Sequence, residues 1–148
     1  MIIAVAIRIG AGSLPAVEAA VALSQRLGAE MKLVYVSEEL EAVEDLADAA
    51  GQPPEEVRRR MIAEILERCH EELGNPLPGG AELVVSEGPV ADGVTRAAVE
   101  VGADLIVVGM KGRSTLAKLV LGDATGAILE RAPCPVVVIP PAIAHPGG

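Results

Sequence analysis

Three glycines near the C-terminal end of the chain have a spacing that suits the binding of a phosphate group. Gly109 ends an apolar run, Gly112 follows after two residues, and Gly122 comes nine residues later, before a segment with helical periodicity. Glycine lets backbone N–H groups approach a bound group closely, and a helix N-terminus adds unpaired donors and a partial positive charge. This spacing therefore predicts a phosphate-binding loop between a strand and a helix.

Charged residues around these glycines have opposing effects on an anion. Lys111, Arg113 and Lys118 lie close together with no acidic residue between them, whereas Asp123 directly follows Gly122. The three bases favour an anion, although a basic surface loop that balances acidic helices explains them equally well. Asp123 instead places a carboxylate where the phosphate would lie. Two unit charges 4 Å apart repel by about 1 kcal/mol in bulk water and by about 4 kcal/mol at an effective dielectric constant of 20.

The carboxylate of Asp123 has three interpretations. Lys111, Arg113 and Arg8 could offset its repulsion of a phosphate. A bound Mg²⁺ could lie between the carboxylate and the phosphate, so that Asp123 becomes a metal ligand. In the simplest interpretation Asp123 caps its own helix, which stabilises the helix by ~1 kcal/mol, and the carboxylate itself occupies the anion site.

Composition and charge exclude several classes of function. The chain has 148 residues, one tyrosine, no tryptophan or phenylalanine, and a net charge of −9. This length predicts one domain, and the near absence of aromatic residues predicts that its core is aliphatic. Nucleic acids and anionic membranes are disfavoured as partners, because aromatic stacking platforms are missing and the net charge is negative. The charge is uneven: residues 38–100 hold 16 acids and 5 bases (net −11), and the remainder holds 5 acids and 7 bases (net +2).

The termini and cysteines indicate a cytoplasmic protein. Residues 2–7 are apolar but too few for a signal peptide, Arg8 follows them, and no stretch approaches the ~18 apolar residues of a membrane span. The two cysteines do not form a disulfide framework. Cys69 shares a helical face with apolar residues and Cys134 lies between two prolines, so both are expected to be structural.

Hydrophobic periodicity predicts strands that alternate with helices. The predicted strands are 2–7, 31–36, 81–86, 104–108 and 135–139, and the predicted helices are 14–27, 57–73, 89–101 and 124–132. Ser13 is the expected N-cap of the first helix. The acidic segment 38–56 fits either a helix or a mobile cover over the site, and 141–148 is expected to be a tail.

This alternation predicts a three-layer α/β/α domain with a five-stranded, doubly wound parallel sheet. Nearly every predicted strand is apolar on both faces, as a sheet with helices on both sides requires. Such sheets bind ligands beyond the carboxyl ends of their strands, where the strand order reverses. The glycine-rich segment 10–12 and the glycines after the fourth strand both fall on that edge.

The glycine pattern and its context resemble the universal stress protein family. The pattern Gly109-x2-Gly112-x9-Gly122 is accompanied by matching segments at 88–90, 102–109, 119–122 and 131–138. The resemblance covers residues 1–140 and implies an adenine-nucleotide alpha-hydrolase-like fold. It also implies a homodimer through strand 135–139, whose unpaired edge would pair with its twin.

The resemblance also implies a site for ATP or a related adenine nucleotide, because the glycine pattern marks the family members that bind one. In those members the second strand contacts adenine, the first strand ends in an Asp, and the glycine segment holds ribose and phosphates. The corresponding positions of this chain are Ile7, Val36, Gly109, Met110, Lys111, Gly112, Arg113, Gly122, Asp123, Ala124 and Thr125.

Two of these positions depart from the family pattern. Ile7, or Ala6 under a shift of one residue, stands where nucleotide binders have the acid, so a metal or ribose contact is lost. Asp123 replaces a Ser or Thr that would donate to a phosphate oxygen. The alternative function is therefore a stress-response dimer that binds no nucleotide and acts on an unknown protein partner.

An enzymatic function has little support in the sequence, and a slow ATPase is the most that we expect. His70 is predicted on an exposed helical face among glutamates, and His145 is in the tail. Ser13 and Ser114 are loop serines without a partner histidine. The chain therefore offers no obvious general base or nucleophile.

Overall fold

Five strands alternate with helices in the computed structural model, which describes residues 1–9, 13–110 and 123–140. The strands are β1 (Ile2–Ile7), β2 (Glu30–Ser37), β3 (Glu82–Glu87), β4 (Leu105–Gly109) and β5 (Val136–Ile139). The helices are α1 (Leu14–Leu27), α2 (Val43–Ala50), α3 (Pro54–Leu73), α4 (Val90–Val101) and α5 (Asp123–Arg131). The predicted strands are all present, and their ends differ from the prediction by at most one residue.

All five strands run parallel in the order β3-β2-β1-β4-β5. The chain therefore builds the sheet outwards from β1, first through β2 to β3 and then through β4 to β5. The strand order reverses at β1, which places the ligand crevice of such a fold at the carboxyl ends of β1 and its neighbours. The predicted doubly wound parallel sheet is confirmed, and so is the edge position of the last strand.

Helices cover both faces of the sheet, and each strand contributes to two separate cores. In β1 the residues Ile3, Val5 and Ile7 pack with α1 and α3, whereas Ala4 and Ala6 pack with α4 and α5. Successive side chains of a strand point to opposite faces, so the same division holds along the other strands. This double burial explains why the strands are apolar without alternation.

The acidic segment 38–56 forms a short 3₁₀ turn, Glu39–Ala42, followed by α2. Its apolar residues Leu40, Val43 and Ala47 are buried against Val57 of α3 in a third, smaller cluster. Of the two interpretations that the sequence left open, the structure supports a helix that packs on the domain. The acidic side chains occupy the other side of that helix, where water solvates them.

Both cysteines are free thiols, as expected. Cys69 is buried in the core between the sheet and α3, and desolvation raises the pKa of its thiol. Cys134 is half-buried, and desolvation raises its thiol pKa as well. Among the described residues, no helix combines the length and the apolar character that crossing a membrane requires.

Candidate ligand site at the carboxyl end of the sheet

The strands end at different heights, which leaves a recess over β1. The last pair between β1 and β2 is Ile7 with Tyr35, but β2 continues to Ser37, where it pairs only with β3. At about 3.3 Å per residue, β2 extends about 7 Å beyond the paired part of β1. On the other side of β1, β4 ends at Gly109, which pairs with β5. We call the space bounded by Ile7, Ser37 and Gly109 the recess.

The three residues that bound the recess share one face of the sheet. Ile7 belongs to the core on the α1 side. Ser37 and Gly109 lie an even number of residues from Leu33 and Val107, which belong to the same core, so alternation places them on that face too. Two inter-strand spacings, about 10 Å, separate β2 from β4 across β1. A ligand that spans these strand ends would contact all three residues.

Gly109 forms the β4 side of the recess. A Cβ atom added to Gly109 would lie 3.7 Å from the Cβ of Ala16 in α1, which is an ordinary van der Waals distance. Packing against the described residues therefore does not require glycine at this position.

Thr125 connects α5 to the end of β4. Its side chain is 8% exposed, and its hydroxyl donates to the carbonyl oxygen of Gly109 over 3.5 Å. The structure thus brings together two residues that the glycine pattern placed in one site, and Ala124 lies beside Thr125 in the first turn of α5. A hydroxyl has one proton to donate, so Thr125 cannot donate to a ligand while it bonds Gly109.

Ile7 forms the floor of the recess and is only 4% exposed. It packs with Val5, Val17 and Val107 in the core on the α1 side. The position where nucleotide-binding relatives are expected to have an acid is therefore a sealed apolar position in this protein. An aliphatic side chain can neither bind a metal ion nor accept a hydrogen bond from a ribose hydroxyl.

Ser13 is the N-cap residue of α1, as predicted, but its side chain makes no hydrogen bond that caps the helix. Its hydroxyl instead accepts a bond from the backbone N–H of Arg8 (2.7 Å) and donates to the carbonyl oxygen of Arg8 (3.0 Å). The Ser13 side chain therefore connects the start of α1 to the residue that follows β1.

Val36 was predicted to contact adenine, and its side chain points away from the recess. A Cβ added to Gly93 of α4 would lie only 2.6 Å from Cγ1 of Val36 and 3.0 Å from the carbonyl oxygen of Glu87. The Val36 side chain thus fills the space that Gly93 leaves free. Only the backbone of Val36 can face a ligand over β1.

Several predicted site residues lie outside the described residues. These are Lys111, Gly112, Arg113 and Gly122, together with Ser114, Lys118 and His145. Asp123 is described only as the first residue of α5, so none of the three interpretations of its carboxylate is tested. Met110 extends β4 by donating its backbone N–H to the carbonyl oxygen of Ile139 over 2.8 Å.

Charged groups meet at the carboxyl end of β3, beside the projecting end of β2. Arg58 of α3 forms an ion pair with Glu87, and Nη2 of Arg96 donates to the backbone carbonyl of Glu87 over 2.9 Å. The Arg58 side chain is about half-exposed in this pair. In the described part of the chain, no three acidic, cysteine or histidine side chains form a cluster that could hold a metal ion.

A second depression lies away from the recess, between α3 and β3. It is a shallow groove of about 360 Å³ with mostly apolar walls that include Leu66, Leu77 and Leu83. His70 lines this groove and is half-buried. His70, which was predicted on an exposed helical face, is less exposed than expected because Asn75, Pro76 and Leu77 line the same groove.

Sequence reasoning missed two residues near the recess, Ser37 and Gly93. Ser37 is the last residue of the largely apolar strand β2, and it is buried although it carries a hydroxyl. Gly93 lies inside a helix, where glycine is unfavourable by roughly 1 kcal/mol relative to alanine. A polar residue at a strand end and a glycine within a helix are the signals that could have identified them.

The comparisons with known proteins agree with this fold. The model of the universal stress protein family matches residues 1–140. The universal stress protein YxiE of Bacillus subtilis is 30% identical over 134 residues, which cover 86% of this chain and 90% of the relative. A universal stress protein of Thermus aquaticus is 29% identical over 118 residues, with 78% and 81% of the two chains covered.

Solved structures share the fold at lower identity. The structure of UspA from Lactobacillus plantarum aligns with a TM-score of 0.62 at 22% identity, over 94% of this chain and 97% of that one. A universal stress protein in complex with cAMP aligns with a TM-score of 0.61 at 19% identity, over 96% and 98% of the two chains. One from Archaeoglobus fulgidus in complex with dAMP gives a TM-score of 0.60 at 19% identity, over 94% and 97%. By its sequence and its fold, the chain belongs to the universal stress protein family.

Proposed function

We propose that this protein is a stress-response regulatory module that binds an adenine nucleotide in the recess over β1. The observation that carries the proposal is Gly109, which has no side chain at the edge where the strand order reverses although the described residues leave room for a Cβ there. The spacing Gly109-x2-Gly112-x9-Gly122 supports it from the sequence. Complexes of two proteins of this fold with cAMP and dAMP support the same ligand class.

In the proposed arrangement the ligand lies across the ends of β2, β1 and β4. The base contacts the backbone at Val36, and the ribose lies above Ile7. The phosphate then reaches the segment that begins at Gly109 and the N-terminus of α5, whose partial positive charge favours an anion. Lys111 and Arg113 follow Gly109 closely in the sequence and would balance the phosphate charge.

A nucleoside monophosphate suits this site better than a triphosphate does. Each added phosphate adds negative charge next to Asp123, in a protein whose net charge is already −9. The apolar floor at Ile7 provides no ligand for Mg²⁺, which usually accompanies ATP. We therefore expect AMP or cAMP to bind more tightly than MgATP.

The alternative function is a dimer that binds no nucleotide and acts through protein contacts. The observation that favours it is the burial of Ile7, because the expected acid is replaced by a core residue. Under both functions we propose a homodimer through β5, since β5 lies at the sheet edge and, among the described residues, no strand pairs with its outer side. Light scattering combined with gel filtration tests this. The backbone carbonyls of Pro135 and Ile139 accept bonds from β4, so the N–H of Val138 faces outwards, and a Val138→Pro variant that becomes monomeric would support the β5 contact.

Calorimetric titration of nucleotide-stripped protein tests the nucleotide function. AMP, cAMP and MgATP are each added to the unmodified protein and to Asp123→Ser. Saturable binding of AMP to the unmodified protein would support the module, and tighter binding to Asp123→Ser would identify the carboxylate as a source of repulsion. Absence of binding to both proteins would contradict the nucleotide function and favour the alternative.

Glycine substitutions test the placement of the site. We expect Gly112→Val and Gly122→Val to abolish AMP binding, because a branched side chain would occupy the space of the phosphate. Gly126→Val is the matched control, since a Cβ at Gly126 in α5 meets no atom within 4 Å in the described residues outside its own part of the helix. Unchanged affinity in both site variants would show that the nucleotide binds elsewhere.

A further inference from the structure

β3 forms the edge of the sheet opposite to β5, and among the described residues no strand pairs with its outer side. Hydrogen bonds of β1 show which residues direct their backbone groups towards that edge. The carbonyl oxygen of Met1 accepts from Glu30 on the β2 side, and that of Ile2 accepts from Asp104 on the β4 side. Ile3 alternates with Ile2 as Met1 does, and its side chain lies in the core on the α1 side. In this parallel sheet, residues whose side chains face α1 and α3 therefore direct their backbone groups towards the β3 edge.

In β3 itself, the residues with this orientation are Leu83 and Val85. Their side chains pack against the core on the α1 side, so their N–H and C=O groups point away from β2. The backbone groups of Glu82, Val84 and Ser86 point towards β2 and belong to the ladder between the two strands. An edge with such a row of outward-facing polar groups is a template for another strand.

The groove between α3 and β3 runs along this edge. The described residues that line it come from α3, from β3 and from the segment 75–77 between them. Ile62, Leu66 and His70 form the α3 wall at a spacing of four residues, and Leu83 and Val85 belong to the β3 wall. The two β3 residues that direct their backbone groups outwards therefore also line an apolar groove of about 360 Å³. We call this combination of strand edge and groove the β3 surface.

We infer that a second copy of this chain binds the β3 surface. The two β3 strands pair antiparallel about a two-fold axis at Val84, so that Leu83 lies opposite the partner's Val85. These residues face one another with their N–H and C=O groups, as the hydrogen-bonded pairs of an antiparallel ladder do. The contact joins the two sheets into one, and because β5 lies at the opposite edge, it is compatible with the proposed β5 contact.

The same two-fold axis brings the α3 helices of the two copies side by side. α3 runs antiparallel to β3, because Arg58 pairs with Glu87 at one end, whereas His70 and Ala81 line the groove near the other end. The middle of α3, near position 64, is therefore level with Val84. An axis at Val84 then places the two α3 helices antiparallel, with their midpoints adjacent.

The spacing of the helices suits this arrangement. Ile65 and Cys69 of α3 belong to the core that contains Leu33 of β2, whereas Ile62 and Leu66 face the β3 side. α3 thus packs over both strands, and a strand spacing of about 4.8 Å places the two α3 axes about 10 Å apart. Packed helices lie 8–10 Å apart, so Ile62 of each copy meets the partner's Leu66 and fills the groove.

Charges on α3 and β3 complement each other across the axis. Arg59 in the first half of α3 is exposed, and so are Glu67 and Glu71 in the second half. Because the helices are antiparallel, Arg59 of each copy is level with a point between the partner's Glu67 and Glu71. In the strands, Glu82 lies opposite the partner's Ser86, so this register avoids a pair of opposed acids there. A second copy therefore supplies both the apolar side chains and the opposite charges that the β3 surface requires.

Two leucine-to-lysine variants of the full chain test this inference. Leu66 on the β3 surface and Leu46 on α2 are 37% and 48% exposed, so a lysine can be solvated at either position in the free chain. Light scattering over a range of protein concentrations measures the mass. We expect Leu66→Lys to lower the limiting mass at least about twofold, because it places a charge in the apolar contact. Leu46→Lys is the matched control and should leave the mass unchanged.

The Val138→Pro background separates this contact from the β5 contact. With β5 blocked, we expect a dimer that persists with Leu46→Lys and becomes a monomer with Leu66→Lys. A folded Val138→Pro protein that is monomeric at every concentration would overturn the second copy as the occupant and leave the β5 contact intact. A mass that Leu66→Lys leaves unchanged, or that Leu46→Lys lowers equally, would overturn the inference as well. Neither result depends on a nucleotide, so both leave the proposed function untouched.

Amide hydrogen exchange followed by NMR tests the pairing of the strands. In the proposed dimer the N–H groups of Leu83 and Val85 bond to the partner, whereas the N–H of Val84 belongs to the ladder with β2. We expect Leu66→Lys to accelerate exchange at Leu83 and Val85 at least about tenfold and to leave Val84 unchanged. Equal exchange rates at Leu83 and Val85 in the unmodified protein and Leu66→Lys would overturn the strand pairing.

Discussion

Two glycines at the carboxyl end of the sheet, Gly93 and Gly109, occupy opposite environments. Gly93 lies in α4, where an added Cβ would meet Val36 at 2.6 Å, so packing requires glycine there. Gly109 ends β4, and among the described residues an added Cβ would meet only the Cβ of Ala16, at 3.7 Å. One glycine allows a helix to approach the sheet, and the other is not required by packing against the described residues. Only the second glycine therefore calls for an explanation other than packing, and the proposed ligand site provides one.

The same contrast separates neighbouring residues of β2. Val36 faces α4 and fills the space beside Gly93, whereas Ser37 faces the α1 side and borders the recess. Strand alternation thus assigns one residue to packing against α4 and the next to the face that carries the proposed site. We call the side chains buried in the cores the packed region, and the residues that border the recess without being buried the open region. The following substitutions test the boundary between these two regions, from the largest expected effect to the smallest.

The largest effect is expected for Ile7→Asp, because the floor of the recess belongs to the packed region. Restoring the family's acid here would place an unpaired carboxylate in a position that is 4% exposed. We expect the free energy of unfolding to fall by about 3–5 kcal/mol. Urea denaturation at pH 7 measures this, with Ile7→Val as a control that should cost about 0.5–1.5 kcal/mol. A stable Ile7→Asp protein would show that the floor is open to water.

Gly93→Ala should have the next largest effect. The added methyl group would overlap Val36, and we expect a loss of about 1–3 kcal/mol in the free energy of unfolding. The double variant Gly93→Ala with Val36→Ala should recover part of that loss, since it removes the atoms that overlap. A more stable single variant would mean that α4 moves away from the sheet without penalty, and the packed region would then be less rigid than the structure indicates.

Gly109→Ala should weaken ligand binding without lowering the stability of the fold. The new methyl group fits beside Ala16, so stability should stay constant or rise by up to about 1 kcal/mol through reduced freedom of the unfolded chain. We expect the AMP affinity to fall about tenfold, which corresponds to about 1.4 kcal/mol, because the methyl group would cover backbone of β4 that the ligand contacts in the proposed site. Calorimetry and urea denaturation of the same preparation measure both quantities. Unchanged AMP affinity would remove Gly109 from the site.

The smallest effect concerns the response of stability to alkaline pH. Burial, followed by the charge of Glu39, raises the pKa of Tyr35, the residue that pairs with Ile7. The folded state therefore holds the phenolic proton more tightly than the unfolded state, and stability falls as the pH rises past about 10. Tyr35→Phe should flatten the fall in the urea midpoint between about pH 9 and pH 11. An identical slope in both proteins would show that water reaches Tyr35 freely.

The local sequence pattern was enough to predict the fold, but it predicted much less of the candidate site. Apolar runs such as 2–7 and the alternation of strands with helices depend on residues close in sequence, so they predicted the parallel sheet and the edge position of β5. The role of Ser13 depended on a competing partner at Arg8, and the exposure of His70 depended on the segment that follows α3.

The less predictable parts of the site depend on contacts between distant residues. Val36 and Gly93 are 57 positions apart in sequence, and only the folded chain shows that one fills the space left by the other. The recess itself arises because β2 extends beyond β1, a difference in strand length that no single motif encodes. Glycine spacing indicated Gly109 and Thr125 correctly as neighbours because both belong to one strand–loop–helix unit.

The most direct test of the central claim is the titration of AMP into the nucleotide-stripped, unmodified protein, with Gly109→Ala titrated in parallel. We predict saturable binding of one AMP per chain by the unmodified protein and clearly weaker binding by Gly109→Ala at equal stability. No binding of AMP by the unmodified protein, under conditions where urea denaturation shows that it is folded, would contradict the claim that the recess is a nucleotide site.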